Sequence, residues 1–347
     1  MDHKSDNIVS KRKLLFLSRL ASPHVGGVER HIDEISQELV KRGYEITLIT
    51  QQHDESLSLE EKTRLYRCIR IPKRLQSKAQ IWFWMLCHAH LVLTSDIIHA
   101  HDVFWWVLPL RFLCPWKKYF VTFHGYEGSE PPTQKAIRSR ALTEKLTRGN
   151  ICIGDWMRKW YGTKPDFVTY GAARVLRAKP VDTKNAISFG RLSADTGILE
   201  YIQAVKLLHG KISLDIYGEG ELLTKVQGEI KGLDYIHYKG LANDATTLLS
   251  KYRFAFVSRY LSMIEAMQIG RYVFAQWNNP IKRDYLESFP SIGAATMFSL
   301  PEELAQELGY LLAHPMKEEN AIALAESWAR QQTWDKVATI YEELWKK

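Results

Sequence analysis

The 347-residue sequence is poor in cysteine and has no apolar run long enough to cross a bilayer. Its four cysteines, Cys68, Cys87, Cys114 and Cys152, show no paired spacing. This pattern predicts reduced thiols in a cytosolic protein and contains no zinc motif. The longest apolar run, residues 81–93, is interrupted by two histidines and is shorter than a transmembrane helix requires.

The first residues also lack the pattern of a secretory leader. The opening segment MDHKSDNIVSKRK has no apolar core of its own. The apolar run that follows, from Leu14 to Leu17, is too brief for a signal peptide. We therefore expect a cytoplasmic protein.

Acidic residues are absent between Lys62 and Ser95. The net charge of the chain is +8, and all of the positive excess falls in the half that ends at Gly171. Six basic residues accumulate in the acid-free segment: Arg64, Arg67, Arg70, Lys73, Arg74 and Lys78. Large apolar residues follow them: Trp82, Phe83, Trp84 and Met85. Three interpretations stay open, namely a surface for anionic membranes, a surface for nucleic acid, or a solvated basic face beside a buried helix.

The length and composition are typical of two globular domains. A chain of 347 residues exceeds what one ordinary core accommodates. Hydrophobic residues make up 46% and charged residues 25%, which is the balance of a soluble folded protein.

In the first half, apolar runs alternate with an amphipathic segment. Residues 13–20 predict a buried strand, residues 28–42 a helix with one apolar face, and residues 45–50 a second strand. The pair Gly26-Gly27 falls in the turn between the first strand and the helix. Glycines there let backbone N–H groups approach a ligand, and a helix N-terminus favours an anion, although many such turns bind nothing.

Two later strands of the first half end in histidine. Residues 76–93 predict one long helix, and residues 96–101 and 118–124 predict strands that end at His101 and His124. Ligands of open α/β sheets lie at the carboxyl ends of strands, which makes these histidines candidate site residues. The alternative is a capping or hydrogen-bonded surface histidine, which we expect for His99. Short strands at 151–153 and 167–169 complete this sheet.

A second alternation follows a weakly patterned connection, Tyr170–Lys184. Its predicted strands are residues 186–189, 214–217, 235–238, 254–257 and 272–275, and its first helix is residues 198–208. Strands that alternate with helices predict parallel sheets with right-handed crossovers. Two such sheets, with their ligand ends towards a cleft, predict a two-domain, enzyme-like shape. An amphipathic segment, Thr333–Trp345, closes the chain.

Residues 256–275 carry one acid, Glu265, among apolar neighbours in a predicted helix that stops at Gly270. A carboxylate in such surroundings is costly unless it has a partner. A polyol such as a ribose is one candidate partner. The alternative is a helix acid that points to water.

These segments together resemble glycosyltransferase family 4. The family's glycine-rich loop and first helix correspond to HVGGVERHIDEISQELVKRGYEITLIT, and its next two landmarks to DIIHAHD and FVTFHG. The start of its donor domain corresponds to ISFGRLSADTGI, followed by the acidic glycine turn IYGEGEL. The segment of its second conserved glutamate corresponds to IEAMQIGRYVFA, and its closing helix to QQTWDKVATIYEEL. The ordered set covers nearly the whole chain.

The resemblance implies a GT-B fold, with two Rossmann-like domains that face a central cleft and a C-terminal helix that packs back towards the N-terminal domain. The implied regions are an acceptor-side domain (1–170), a donor-binding domain (185–330) and a closing helix (331–347). It implies a retaining transferase that uses a nucleotide-sugar, with a carbohydrate or lipid-linked glycan acceptor. No metal or other cofactor is expected, and neither is nucleic acid.

The resemblance also implies roles for individual residues. His124 would lie beside the donor sugar, Glu265 would hold the ribose hydroxyls, and Arg191 would clamp the diphosphate. The implied catalytic residues are His124 and Glu265. The implied donor and diphosphate site comprises Gly26, Gly27, Arg191, Thr196, Gly218, Glu219, Leu261, Ser262 and Glu265.

Two positions depart from the family pattern. Val257 stands where the family has its first glutamate, and Thr196 stands where it has a lysine. The loop after Ser258 is short, and the nearby Arg259 is a candidate replacement for the missing positive charge. These departures leave a second function open, a non-catalytic sugar-nucleotide-binding or partner subunit.

Overall fold

The computed structural model describes residues 11–125, 130–174, 183–241 and 245–347. They divide into two compact units. The first unit contains the residues up to Ile153, Met157–Thr169 and Val337–Lys347, and the second contains Gly154–Trp156 and Tyr170–Lys336. Residues 175–182, which are part of the predicted connection Tyr170–Lys184, lie outside the described residues. The first ten residues of the opening segment MDHKSDNIVSKRK also lie outside them.

The first unit is built on an eight-stranded sheet in the order β3-β4-β2-β1-β5-β6-β7-β8. Neighbouring strands are parallel except β3 and β4, which are antiparallel. Its strands are β1 (Arg12–Ser18), β2 (Tyr44–Gln51), β3 (Glu60–Lys62), β4 (Arg67–Ile71), β5 (Ile97–His101), β6 (Lys118–Phe123), β7 (Gly149–Ile153) and β8 (Phe167–Thr169). The central strand β1 buries Leu14–Leu17 almost completely, as a strand covered on both faces requires.

In the described part of the first half, six α-helices accompany this sheet: α1 (Gly27–Lys41), α2 (Lys78–Cys87), α3 (Ala89–Thr94), α4 (Leu108–Leu113), α5 (Gln134–Leu146) and α6 (Met157–Tyr161). The apolar face predicted for α1 is confirmed, since Ile32, Ile35 and Leu39 are fully buried. The prediction of one helix over residues 76–93 is wrong, because the helix ends at His88. The imidazole of His88 stacks on Trp84 at 3.8 Å, and its Nδ1 engages the carbonyl oxygen of Trp84 at 2.8 Å.

Two of the six basic residues of the segment, Arg67 and Arg70, lie in β4 and are paired with acids. β4 lies antiparallel to β3, which brings two glutamates alongside its arginines. Arg70 is 2% exposed and donates to Glu61 at 2.8 Å and to the carbonyl oxygen of Ser58 at 2.7 Å. Arg67 pairs with Glu60 at 2.6 Å. The segment itself contains no acids, and the acidic partners of these two arginines come from the neighbouring strand β3.

The second unit is built on a six-stranded parallel sheet in the order β11-β10-β9-β12-β13-β14. Its strands are β9 (Asn185–Phe189), β10 (Ser213–Tyr217), β11 (Ile236–Tyr238), β12 (Phe254–Phe256), β13 (Tyr272–Gln276) and β14 (Thr296–Phe298). Its helices are α7 (Ile198–Leu207), α8 (Leu223–Glu229), α9 (Ala245–Leu249), α10 (Tyr260–Gln268), α11 (Pro280–Glu287), α12 (Pro301–Ala313) and α13 (Pro315–Ala329). The predicted second alternation of strands and helices is confirmed. Only residues 257–259 connect β12 to α10, which shows the short loop expected there.

The last helix, α14 (Trp334–Trp345), contributes most of its length to the first unit. Its predicted apolar face is confirmed, since Val337, Tyr341 and Trp345 are each 5% exposed or less. Arg42 at the end of α1 forms an ion pair with Glu342 and donates to Thr339 at 3.1 Å. The core of the first unit is thus completed by residues that lie at the far end of the chain. Among the described helices, none combines the length and apolarity that a membrane crossing requires.

Candidate functional site

Loops after β1, β5 and β6 meet at one edge of the first sheet, where the strand order changes direction on either side of β1. Such a switch point is where open α/β sheets bind ligands. The first loop leads to Gly26, the N-cap of α1, which has no side-chain cap. Gly27 begins the helix and is exposed. The two predicted glycines therefore lie where backbone N–H groups of a helix lack intrahelical partners.

An acid already lies against this turn. Glu29, in the first turn of α1, is 7% exposed, and its Oε1 lies 2.9 Å from Nδ1 of His24. A side chain at Gly26 would place its Cβ 2.3 Å from Oε2 of Glu29. The glycine therefore makes room for a carboxylate that interacts favourably with the helix N-terminus.

His101 and His124 lie side by side at the ends of β5 and β6. Nδ1 of His101 lies 2.8 Å from Nε2 of His124. Between them in the chain, Asp102 has a left-handed backbone conformation (φ 62°), which aspartate tolerates better than most residues. Its carboxylate accepts the backbone N–H of His124 at 3.1 Å. We call His101, Asp102 and His124 the histidine edge.

The burial of the histidine edge defines its protonation. Burial lowers the pKa of both His101 and His124 well below 6.5. Both rings are therefore neutral at pH 7. Nε2 of His101 is buried and has no hydrogen-bond partner among the described residues. An unmet acceptor is less costly there than an unmet N–H, so we assign the shared proton to Nδ1 of His101 and the remaining proton of His124 to its Nδ1.

In the second unit, the loops after β9 and β10 are joined backbone to backbone. The N–H of Leu192 donates to the carbonyl oxygen of Glu219 at 2.8 Å. A Cβ at Gly218 would lie 1.8 Å from the carbonyl oxygen of Gly190, and Gly218 has φ 140°. Glycine is required there by space and by conformation. The exposed Arg191 is held in this junction, next to the predicted residues Gly218 and Glu219.

The loop after β12 joins the same place. Oγ of Ser258 donates to the carbonyl oxygen of Thr196 at 2.9 Å, and the hydroxyl of Thr196 donates to the carbonyl oxygen of Ser193 at 2.7 Å. Arg259 forms an ion pair with Asp195. We call these three connected loops, residues 190–197, 218–220 and 257–259, the loop junction. They follow β9 and its two neighbours, so they lie at the switch point of the second sheet.

Helix α10 begins at the loop junction and carries the other predicted donor residues. Leu261 and Ser262 lie in its first turn, where helical N–H groups lack intrahelical partners. Glu265 lies in the middle of the helix and is 2% exposed. The alternative of an acid that points to water is therefore wrong.

A lysine outside the predicted site lies below the loop junction. Lys282 on α11 is fully buried, and its Nζ donates to the carbonyl oxygen of Ser258. It also lies 4.4 Å from the ring centre of Tyr285. Burial lowers its pKa well below 10.5. Its spacing from Ile281, Tyr285 and Leu286 placed it on the apolar face of α11, which is the signal that could have found it.

The predicted site residues thus fall into two groups, one in each unit. Gly26, Gly27 and His124 lie at the edge of the first sheet, together with the unpredicted His24 and Glu29. Arg191, Thr196, Gly218, Glu219, Leu261 and Ser262 lie at or beside the loop junction, and Glu265 lies further along α10. Within the described residues, no group of three histidine, cysteine, aspartate or glutamate side chains is arranged to hold a metal ion.

Comparison with known proteins adds a family and a fold. Residues 25–165 match the sequence profile described as Glycosyltransferase Family 4. No curated protein matches the chain.

Solved structures cover nearly the whole chain. Sucrose-phosphate synthase from Thermosynechococcus elongatus is 14% identical, with a TM-score of 0.75 over 97% of this chain and 98% of that chain. HepE from Anabaena, in complex with UDP and glucose, is 14% identical, with a TM-score of 0.76 over 96% and 98%. A mutant of TarM from S. aureus, in complex with fondaparinux, alpha-GlcNAc-glycerol and UDP, is 11% identical, with a TM-score of 0.70 over 97% and 100%. At these identities the likeness shows the fold, and the GT-B prediction is confirmed.

Proposed function

Residues 25–165 belong to glycosyltransferase family 4 within a chain of GT-B fold, and on this premise we propose that the protein is a retaining glycosyltransferase. It transfers a sugar from a nucleotide-sugar to a carbohydrate or lipid-linked glycan acceptor. The products belong to polysaccharide, glycoconjugate or cell-envelope synthesis. The proposed donor is a nucleoside diphosphate sugar, and no metal is required.

The loop junction is the observation that carries the proposal. Three loops from the carboxyl ends of adjacent strands are tied together by main-chain and side-chain hydrogen bonds. Glycines at Gly218 and Gly220 are required for that close approach. The result is a rigid platform that carries an exposed guanidinium, Arg191, and leads into the first turn of α10.

This platform suits the leaving group of the proposed reaction. Negative charge develops on the nucleoside diphosphate when the bond to the sugar breaks. A fixed guanidinium binds two phosphate oxygens as a fork, and the first-turn N–H groups of Leu261 and Ser262 add an oriented positive pole. Because these groups are held before the reaction, they stabilise the developing charge without reorganisation. Glu265 is proposed to accept hydrogen bonds from the ribose hydroxyls.

The missing glutamate and lysine support a second candidate, a non-catalytic sugar-nucleotide-binding or partner subunit. Val257 is buried and apolar, and the hydroxyl of Thr196 is used within its own loop. The charge of Arg259 is balanced by Asp195. In the active enzyme, the approaching diphosphate competes with Asp195 for Arg259, which then supplies the cation that Thr196 lacks.

We also propose a peripheral position on the cytoplasmic face of an anionic membrane, through a surface that differs from the one the sequence indicated. Arg70 cannot contact lipid, because its side chain is buried and forms an ion pair with Glu61. Exposed large apolar side chains occur instead on α2, on α4 and just after α4: Phe83, Leu86, Phe112, Leu113 and Trp116. Between Lys62 and Glu127 the chain has only two acids, Asp96 and Asp102. This combination of apolar and basic residues favours an anionic bilayer interface.

Calorimetric titration with a panel of nucleotide-sugars, followed by product analysis, tests the main proposal. UDP-sugars are the first to try, because HepE and TarM are described in complexes with UDP. We expect binding of one donor and transfer with retained anomeric configuration. Binding without transfer to any glycan or lipid-linked acceptor identifies the non-catalytic subunit. No nucleotide-sugar binding at all contradicts both candidates.

Co-sedimentation with anionic and neutral vesicles tests the membrane surface. A Phe112→Ser/Trp116→Ser variant should lose binding to anionic vesicles. Leu324, which is 68% exposed in the second unit, supplies the matched control Leu324→Ser. Wild-type protein that stays in the supernatant at low salt removes the membrane position from the proposal.

A further inference from the structure

A chain of four hydrogen bonds crosses the core of the first unit, from the last helix to the first. Nε1 of Trp345 donates to Nδ1 of His99 at 3.0 Å, and Nε2 of His99 lies 2.8 Å from Oγ1 of Thr122. That hydroxyl lies 2.9 Å from the hydroxyl of Tyr341. The same Tyr341 oxygen lies 2.9 Å from Nε2 of His31 on α1. We call these five side chains the core relay.

The direction of every bond in the core relay follows from its first member. An indole N–H can only donate, so Nδ1 of His99 is an acceptor. The neutral ring then carries its proton on Nε2 and donates it to Thr122. Among the described residues the Thr122 hydroxyl has no hydrogen-bond partner besides His99 and Tyr341, so its single proton can be donated only to Tyr341. The Tyr341 hydroxyl then donates to Nε2 of His31. His31 is therefore the tautomer with its proton on Nδ1.

The opposite direction is not available to a neutral relay. A proton on Nε2 of His31 would make Tyr341 the acceptor, and the Tyr341 hydroxyl would donate to Thr122. The buried Thr122 hydroxyl would then have no acceptor for its own proton unless it donated to Nε2 of His99. His99 would then carry its proton on Nδ1, which would face the N–H of Trp345. Two donors at 3.0 Å in a dry core lose a hydrogen bond that neither can replace with water. Trp345 therefore acts as a terminus that sets the polarity of the whole relay.

The side chains of the core relay are also uncharged. All five members are 4% exposed or less, so the expectation of a surface position for His99 is wrong. Burial lowers the pKa of His31 and of His99 from 6.5 to about 3. Burial also raises the pKa of the Tyr341 hydroxyl. At neutral pH the relay consists of neutral groups with one consistent set of proton positions.

The relay ends beside the histidine edge. The ring of His31 meets the ring of His124 at 4.9 Å between centres, with the planes at 86°. His124 is held on another side by His101 and through its backbone N–H by Asp102. His31 is thus the third residue that contacts His124, after His101 and Asp102. The ring that makes this contact has its proton position set by a helix that lies elsewhere in the chain.

We propose that the core relay is a positioning device, in which Tyr341 and Trp345 on α14 fix the tautomer and orientation of His31 and so hold His124 in place. Tyr341 and His31 are positioning residues, and they need not touch a substrate. The inference rests on the proposed function only for the role of His124 in transfer. The tautomer of His31 and its dependence on α14 can be measured without any activity.

Nitrogen-15 NMR of histidine-labelled full-length protein reads the tautomers directly, with the His31 signals assigned by a His31→Asn variant. In wild type we expect a proton on Nδ1 of His31 and on Nε2 of His99. Tyr341→Phe removes the hydroxyl but keeps the ring, so His31 should lose its fixed tautomer and the His124 signals should shift. Tyr119→Phe is the matched control, because Tyr119 is equally buried in the same unit and its hydroxyl donates to the carbonyl oxygen of Leu110.

Kinetics supply the second measurement. With the donor found by titration, kcat of Tyr341→Phe should fall by on the order of tenfold while the donor KM stays close to wild type, because positioning and not donor binding is affected. The kcat of Trp345→Phe, which keeps an aromatic ring but removes the indole N–H, should also fall. Tyr119→Phe should retain the wild-type kcat at a temperature where all variants are folded.

The outcomes separate the two proposals. A wild-type protein with its His31 proton on Nε2 overturns the relay, as does a Tyr341→Phe variant whose His31 and His124 signals match those of Tyr119→Phe. If Tyr341→Phe does not fold, the wild-type tautomers and Trp345→Phe decide. Expected tautomers in a protein without transferase activity support the relay and contradict the proposed function.

Discussion

The two sheets end in edges of opposite chemical character. The edge of the first sheet carries neutral imidazoles that lie against one another beside two acidic residues, Asp102 and Glu29, and it is backed by the core relay. The edge of the second sheet is formed by charged groups, with Arg191 exposed, Arg259 paired to Asp195, and a lysine buried beneath. One edge responds to protons because its basic groups are kept uncharged. The other is suited to an anion because Arg191 is exposed and Arg259 is partly exposed.

The largest effect that would sharpen this contrast is a loss of stability of the first unit in acid. Unfolded histidines bind protons below pH 6.5, whereas buried His31 and His99 do so only near pH 3. Their contribution to stability is complete above pH 6.5 and is lost as the pH falls from 6.5 towards 3. For each of these histidines, the free energy of unfolding falls by about 1.4 kcal/mol for every pH unit below 6.5 within that window.

Hydrogen exchange by peptide measures this prediction at pH 7.5 and pH 5. Peptides from β5 and β6 should lose protection before peptides from β9 and β10, once the intrinsic pH dependence of exchange is corrected. Equal losses in both sheets would contradict the contrast. A His99→Gln variant, which cannot be protonated, should show a shallower pH dependence than wild type.

The next effect concerns donor binding at the second edge. Glu265→Gln keeps the shape of the side chain but removes its charge, so it should weaken nucleotide-sugar binding at least tenfold, which corresponds to about 1.5–3 kcal/mol for bonds to a charged group. Calorimetric titration measures it. Gln268→Glu would change the charge at a buried position, so it is not a suitable control. The control is Glu287→Gln, at an exposed position on α11. Unchanged affinity in Glu265→Gln would remove the ribose assignment.

A smaller effect is expected from the buried lysine. Burial holds the pKa of Lys282 well below 10.5, so the unfolded state binds the proton more readily, and the folded state is penalised as the pH falls below 10.5. Lys282→Met should therefore raise the free energy of unfolding at pH 7 by about 1 kcal/mol. Denaturant titration at pH 7 and pH 10 checks it, and the gain should shrink at the higher pH. Destabilisation at pH 7 would show that its bond to Ser258 outweighs the penalty.

The smallest effect distinguishes a phosphate fork from a simple positive charge. Arg191→Lys keeps the charge but loses the planar pair of donors, so it should weaken nucleoside diphosphate binding a few-fold and leave nucleoside binding unchanged. Competition titrations with both ligands measure the difference. An equal loss for nucleoside and diphosphate would make Arg191 a structural residue.

The repeating parts of the fold could be predicted from the sequence. The apolar faces of α1 and α7 and the apolar runs of β1 and β10 depend on local periodicity, which the sequence displays directly. The break at His88 could not be predicted in this way, because it depends on one imidazole that stacks on Trp84. The pairing of β4 with β3 was also missed, because the partners of Arg70 come from another strand.

The candidate site was predictable where its residues end strands and hidden where they lie in cores. Arg191 and His124 follow apolar runs, so their positions at sheet edges could be inferred. His31 lies on the apolar face of α1, three residues after Val28, and a polar residue there was the available signal. Its meaning depends on Tyr341, which is 310 residues away, and no local pattern carries that information.

The completion of the first unit by α14 has a consequence for synthesis on the ribosome. Trp345 is made 246 residues after its partner His99. At about 5–20 residues per second, the first sheet waits roughly 10–50 s for that partner. Until α14 is made, Phe16 of β1 and His99 of β5 lack the contacts with Tyr341 and Trp345 that cover them in the finished fold. The domain that is translated first is therefore the one that finishes folding last, and it would be the natural client of a chaperone.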